Sequence, residues 1–177
     1  IMQSLFIKTQ SSPFEAPYFS CVPYLMGEGQ AMQYSVWPTS RRRTPVPRLP
    51  LRPPDDYLRQ AMVETLSEGD VELQVRVQMQ TDSFLMPIEN AGVLWPEKLS
   101  PRVPVATLRI PKQKFDSPAQ MEFAKRLSYN PWHTIAEHRP LGNQSRARKR
   151  MYWELSQIRH RMNGVPHYEP NGDETFD

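Results

Sequence analysis

The sequence predicts an α+β protein in which most strands precede the helices. Three segments have strand-like patterning with turn residues between them: Gln30 to Val36, Val71 to Gln80, and Val103 to Ile110. Such segments favour an antiparallel sheet or barrel. The 19 prolines among 177 residues indicate short elements joined by long ordered connections, which argues against a helical bundle.

The segment from Val71 to Gln80 is the clearest predicted strand, because apolar and polar residues alternate along its whole length. Its polar face either meets water or lines a polar cavity, and the pattern leaves both options open. The first strand follows a Gly-Glu-Gly turn, and the third ends at Pro111. We therefore expect these three strands to share one sheet.

Three segments predict helices. Asp55 to Ser67 has apolar residues near one face, and Ala119 to Leu127 follows a Ser-Pro start signal. The last helix begins near Asn143 or Ser145, since either side chain can cap it, and ends at Asn163. A glycine follows both the first and the last of these segments, as is common at the ends of helices.

The composition excludes several classes of protein. A net charge of +3 is too small to favour a nucleic-acid partner. No apolar run reaches the roughly 18 residues that a transmembrane helix needs, and the first ten residues do not resemble a signal peptide. Cys21 is the only cysteine, so we expect a buried, inert thiol and neither a disulfide framework nor a cysteine-rich metal site.

Two segments allow a functional interpretation, an anionic partner for the first and a metal site for the second, but a structural interpretation is favoured for both. Residues 38–54 are proline-rich and basic, but without aromatic residues for bases to stack on they favour an extended, solvated connection. His133 and His138 are five apart between prolines, whereas a zinc-binding helix needs histidines four apart with a glutamate after the first. We therefore expect an ordered loop anchored by Trp132 instead of a metal site.

The last predicted helix places a tyrosine between two arginines. At about 3.6 residues per turn, one face carries Arg148, Tyr152, Leu155, Ser156 and Arg159. One interpretation is an amphipathic surface helix with a solvated basic face. Another is a phenol held beside a guanidinium, because a nearby positive charge favours the phenolate and tyrosine is one of the few side chains that ligate haem iron.

Two stretches, PIENAGVLWPEKLSPRVPVATLRIPKQ and LSYNPWHTIAEHRPLGNQSRARKRMYWELSQIRHRMNGVP, closely resemble the catalase-related haem proteins. The resemblance is to the smaller, divergent branch, and it runs from about Tyr18 to Pro166. The stretch GEGQAMQYSV also resembles the strand after a Gly-Glu turn in the catalase barrel. The resemblance implies a partial catalase-like antiparallel β-barrel with C-terminal helices. Residues 1–177 would then form the C-terminal part of a single haem domain, with 38–54 as a basic connection.

The resemblance also implies roles for individual residues. Catalases carry one arginine four residues before the iron-ligating tyrosine and another seven residues after it, and here these positions hold Arg148, Tyr152 and Arg159. Tyr152 would be the proximal iron ligand, Arg148 would stabilise its phenolate, and Arg159 would pair with a haem propionate. One departure is Trp153, which stands where large catalases have a proline.

The implied activity is that of a haem catalase or peroxidase acting on hydrogen peroxide or organic hydroperoxides. The family's distal histidine and asparagine lie upstream of the matched region, and no histidine precedes His133, so we expect no catalytic residue within this chain. The chain is then a fragment, a subunit completed by a partner, or a protein that has lost the activity. Two alternatives are a hydroperoxide-rearranging haem enzyme of the allene oxide synthase type and a haem-free structural or interaction subunit.

The expected partners follow from these inferences. They are haem, a peroxide or fatty-acid hydroperoxide, and a complementary chain or homo-oligomer, without nucleic acid and without a transmembrane segment. A single cysteine suits both a reducing interior and export, so the compartment stays open, with the cytoplasm slightly favoured.

Overall fold

The computed structural model describes residues 10–40, 45–46 and 53–176. These residues form five strands: β1 (Tyr18–Phe19), β2 (Tyr24–Leu25), β3 (Ala31–Pro38), β4 (Val71–Met79) and β5 (Val103–Ile110). They also form three α-helices: α1 (Tyr57–Glu68), α2 (Pro118–Arg126) and α3 (Gly142–Asn163). Single 3₁₀ turns occupy Pro13–Glu15 and Ala136–His138.

The strands form one sheet in the order β1–β3–β4–β5, with β2 also paired to β3. Both short strands run antiparallel to β3, with Tyr18 opposite Val36 and Tyr24 opposite Met32. The predicted α+β class and antiparallel sheet are therefore confirmed. Within the described residues the sheet is open and does not close into a barrel.

The strand bounds follow the predictions within two residues, and β5 has the predicted bounds. Alternation in β4 works as expected on its apolar side, where Leu73 and Val77 are buried. The polar side is the surprise, because Gln78 is only 1% exposed and donates to the carbonyl oxygens of Trp95 (3.2 Å) and Ser100 (2.8 Å). Part of the polar face of β4 thus lines a buried polar site.

The chain divides into two compact units. One comprises residues 1–19, 35–76 and 104–115, of which the described part contains α1. Main-chain hydrogen bonds hold its segments together, including Gln113 N to Leu66 O at 3.1 Å and Thr39 N to Glu72 O at 3.3 Å. The Arg109 guanidinium donates to the Asp70 carboxylate on its surface.

The other unit comprises residues 20–34, 77–103 and 116–177 and contains α2 and α3. Its central cluster consists of Val22, Tyr24, Met32 and Val77. The largest fully buried side chain is Trp95, whose Nε1 donates to the carbonyl oxygen of Pro87 at 3.3 Å. This core supports the two helices on which the candidate site is built.

Local signals determine the start of α2 and the end of α3. Helix α2 begins with a full capping box, in which Ser117 Oγ accepts from Gln120 N and the Gln120 side chain accepts from Ser117 N. Helix α3 ends where Gly164 adopts the left-handed conformation, as predicted.

The start of α3 differs from the prediction, because neither Asn143 nor Ser145 caps it. The helix begins at Gly142, whose φ is +84°, and the Glu89 carboxylate accepts from Asn143 N at 2.7 Å. Glu89, which is distant in sequence, thus supplies the hydrogen-bond acceptor that we expected from the side chain of Asn143 or Ser145.

The remaining expectations concern Cys21, the basic connection and membrane-spanning helices. Cys21 is exposed, so the prediction of a buried thiol is wrong; it lies in a bend with a φ of +61°, outside the core. The basic connection predicted at 38–54 falls mostly on residues 41–44 and 47–52, outside the described residues. No helix in the described part of the chain is long and apolar enough to cross a membrane.

Candidate functional site

The predicted tyrosine and its preceding arginine do meet on α3. Arg148 Nη2 donates to the Tyr152 phenol oxygen at 3.0 Å, and its guanidinium carbon lies 5.2 Å from the centre of the Tyr152 ring. The i, i+4 spacing on a helix makes this contact possible. The hydrogen bond with Tyr152 raises the pKa of Arg148, so its guanidinium keeps its charge beside the phenol oxygen.

The second predicted arginine lies further along the same face. Arg159 Nη2 donates to the carbonyl oxygen of Leu127, at the end of α2, and also contacts the ring of the buried His160 at 3.2 Å. These contacts tie the arginine to the loop that follows α2. Its guanidinium therefore has a defined position at the edge of the site.

An open pocket of about 320 Å³ joins the tyrosine to this arginine. Tyr152, Leu155, Ser156 and Arg159 of α3 form one wall, and residues 127–129 form the other. Tyr152 is 39% exposed and Leu155 is 57% exposed, so a phenol and an apolar side chain face the opening together. The stripe predicted from helical geometry thus lines one surface, with Arg148 just behind the tyrosine.

A second phenol, Tyr24, is coupled electrostatically to Arg148 and Tyr152, and sequence reasoning did not identify it. Burial raises the pKa of Tyr24 to about 12, with the neighbouring Tyr34 phenol adding to the effect and the Arg148 charge opposing it. The Tyr24 and Tyr34 rings meet edge to face at a centroid distance of 5.1 Å. Tyr24 therefore remains a neutral phenol at physiological pH, and the exposed Tyr152 is the phenol that Arg148 contacts.

The loop before α3 fixes the helix that carries the site. Trp132 Nε1 donates to the carbonyl oxygen of Ser145 at 2.7 Å, and Lys149 Nζ lies 4.8 Å from the centre of the Trp132 ring. The prediction that Trp132 anchors an ordered loop is confirmed. Because Ser145 and Lys149 belong to the first turns of α3, this anchor sets the helix one to two turns before Tyr152.

The two histidines of this loop make separate contacts. His133 Nδ1 lies 3.1 Å from a carboxylate oxygen of Glu169, while His138 Nδ1 lies 3.4 Å from the carbonyl oxygen of Leu25. Within the described residues, no three histidine, cysteine or acidic side chains come close enough together to hold a metal ion. The two histidines thus contact different segments of the chain.

Several residues of the site carry no signal that the sequence analysis could use. Leu127 contributes through its main-chain carbonyl, which any residue would provide. Tyr24 belongs to the site only because a distant segment brings it within electrostatic reach of Arg148, whereas His160 directly follows Arg159 on α3. The sequence feature that points to this part of the site is the seven-residue spacing of His160 and His167 across the end of α3.

Comparison with known proteins supports the fold. No protein-family model and no curated protein sequence matches the chain. Among solved structures, a fungal catalase superposes with a TM-score of 0.69 at 17% identity over 85% of this chain, and catalase A from Saccharomyces cerevisiae with a TM-score of 0.68 at 15% identity over 85%. The chain spans about a third of each, 32% and 33% of their lengths. It has a catalase-like fold.

Proposed function

We propose that this chain forms the proximal wall of a haem pocket in a catalase- or peroxidase-like protein, with Tyr152 as the iron ligand. The observation that carries the proposal is the Tyr152 phenol, partly exposed at an open pocket while its oxygen accepts a 3.0 Å hydrogen bond from Arg148. A phenolate ligand requires a balancing positive charge, and the guanidinium is already in contact.

The pocket suits a flat, apolar ring with an acidic edge. Leu155 and Leu127 supply apolar surface, and Arg159 supplies a fork of N–H donors suited to a carboxylate at the rim. Tyr152 lies between Arg148 and Arg159 along α3, and Tyr152 and Arg159 line the same wall of the pocket. Each of these features agrees with haem, whose iron would meet Tyr152 and whose propionate would meet Arg159.

Haem, when bound, supplies a redox-active iron for reactions of peroxides. The chain's own residues orient and balance it: Tyr152 donates a ligand oxygen, Arg148 holds that oxygen in place, and Arg159 binds the acidic edge. Peroxide cleavage also needs an acid–base group on the opposite side, and we propose that residues outside this 177-residue chain supply it. Residues 1–177 then form the C-terminal part of the haem domain.

Reconstitution with haemin tests the ligand assignment. We expect the wild-type chain to give a Soret band and the charge-transfer bands of an iron–phenolate, and Tyr152→Phe to lose those bands. Tyr129→Phe is the matched control, because Tyr129 lines the same pocket and is 72% exposed. Unchanged bands in Tyr152→Phe would refute the assignment, as would their loss in Tyr129→Phe.

A haem-free interaction subunit is the second candidate function. Strand β5 favours it, because Val103, Val105 and Leu108 are each about half exposed on a strand at the end of the sheet. Such a subunit would bind haemin no better than unrelated proteins and would associate through this edge. The hydroperoxide-rearranging haem enzyme shares the proximal residues, and product analysis on a fatty-acid hydroperoxide distinguishes it from a catalase.

A further inference from the structure

A row of hydrogen-bonding side chains runs from Arg159 to His133. Arg159 Nη2 lies 3.2 Å from His160 Nε2, and His160 Nδ1 lies 3.4 Å from His167 Nδ1. His167 Nε2 in turn lies 3.3 Å from a carboxylate oxygen of Glu169, whose other oxygen lies 3.1 Å from His133 Nδ1. All five residues belong to the same compact unit.

The direction of the hydrogen bonds in this row follows from one fact. A guanidinium can only donate, so His160 Nε2 must accept and carries no proton. In the neutral ring the proton then sits on Nδ1, from which it is donated to His167 Nδ1. His167 therefore carries its own proton on Nε2 and donates it to Glu169.

The burial of His160 makes a charge on its ring unfavourable. His160 is 3% exposed, so a charge on its ring would be poorly solvated, and it would directly face the charge of Arg159. A proton added to Nε2 would also remove the acceptor that Arg159 uses. A proton added to His167 Nδ1 would set two donors against each other and break the row at its centre.

We propose that His160 is a positioning residue for Arg159: held as the Nδ1–H tautomer by His167 and Glu169, its ring fixes the guanidinium for an anionic group entering the pocket. This inference rests on the proposed function in taking the acidic edge of haem as that anion.

Nitrogen-15 NMR of the histidine rings in the haem-free, 177-residue chain tests the tautomer. We expect His160 at neutral pH to be uncharged, with a protonated Nδ1 and an accepting Nε2, and His167 to be protonated on Nε2. Removing the donor in Arg159→Leu should release His160 to a mixture of tautomers. A charged His160, or one protonated on Nε2, in the wild-type chain would overturn the inference whatever the chain binds.

Two variants of His160 test the positioning itself. The glutamine side chain in His160→Gln can accept from Arg159 and donate to His167, but it cannot gain a proton, whereas the leucine side chain in His160→Leu can do neither. The probes are haemin and haemin dimethyl ester, which lacks the carboxylates that Arg159 would bind. We expect the wild-type chain to bind haemin more tightly than the dimethyl ester. The ratio of the two affinities should fall about tenfold in His160→Leu and stay unchanged in His160→Gln.

Comparing the two probes separates positioning from a purely structural role. Loss of the positioning weakens only the binding of haemin and is rescued in His160→Gln, while a folding defect would weaken the binding of both probes equally. An unchanged preference in His160→Leu would overturn the positioning role. Failure of both probes to bind the wild-type chain would instead overturn the haem proposal, and the tautomer measurement would then decide the inference alone.

Discussion

Replacing Gly142 by alanine would show what holds the start of α3 in place. Its φ is +84°, and an added Cβ would lie 3.2 Å from the carbonyl oxygen of Ile88 and 3.4 Å from Glu89 Oε2. The left-handed backbone costs a non-glycine residue about 1–2 kcal/mol, and crowding in a packed site adds about 1–3 kcal/mol. We expect Gly142→Ala to lower the free energy of unfolding by about 2–5 kcal/mol.

Gly164 provides the matched control at the other end of the helix. Its φ is +64°, and an added Cβ would meet nothing within 4 Å, so Gly164→Ala carries only the backbone cost of about 1–2 kcal/mol. Urea unfolding followed by circular dichroism measures both variants, with equal m-values as the sign that the unfolding transition is comparable. Equal losses in the two variants would refute the claim that residues 88 and 89 confine the helix start.

Two other predictions use the same unfolding assay. Gln78→Leu should lower the free energy of unfolding by about 2–4 kcal/mol, because two buried main-chain carbonyl oxygens lose their donor; a loss under about 1 kcal/mol would contradict the buried network. The main-chain N–H of Lys112, with Arg109, lowers the pKa of Asp70 in the folded state. The Asp70 carboxylate therefore stabilises the fold at any pH above the unfolded-state pKa of Asp70. This stabilisation is lost as the pH falls through the lower folded-state pKa. Asp70→Asn should therefore be less stable than wild type at neutral pH and equal to it in acid, and a difference independent of pH would argue against this.

Much of the candidate site could be predicted because its signals are local. Helical geometry alone places Arg148 one turn from Tyr152 and Arg159 two turns beyond it, and the structure has the first pair in contact and the second arginine at the same pocket. The roles of these three residues in haem binding remain predictions.

The sequence by itself determined the three longer strands and the presence of the three helices, since periodicity and end signals act within a few residues. The β5 bounds, the capping box at Ser117 and the stop at Gly164 all follow from neighbours along the chain. Such patterns report which side of an element is apolar. They do not report what covers it.

Only the tertiary structure decided the contacts made by distant segments. Alternation marks Gln78 as polar, but its burial depends on Trp95 and Ser100, which lie about twenty residues further on. Glu89 rather than a local side chain accepts from the first turn of α3, and His160 meets His167 across the end of the helix. A buried polar group needs a hydrogen-bond partner, and the fold decides which segment supplies it. The pattern of residues along the chain does not show where that partner lies.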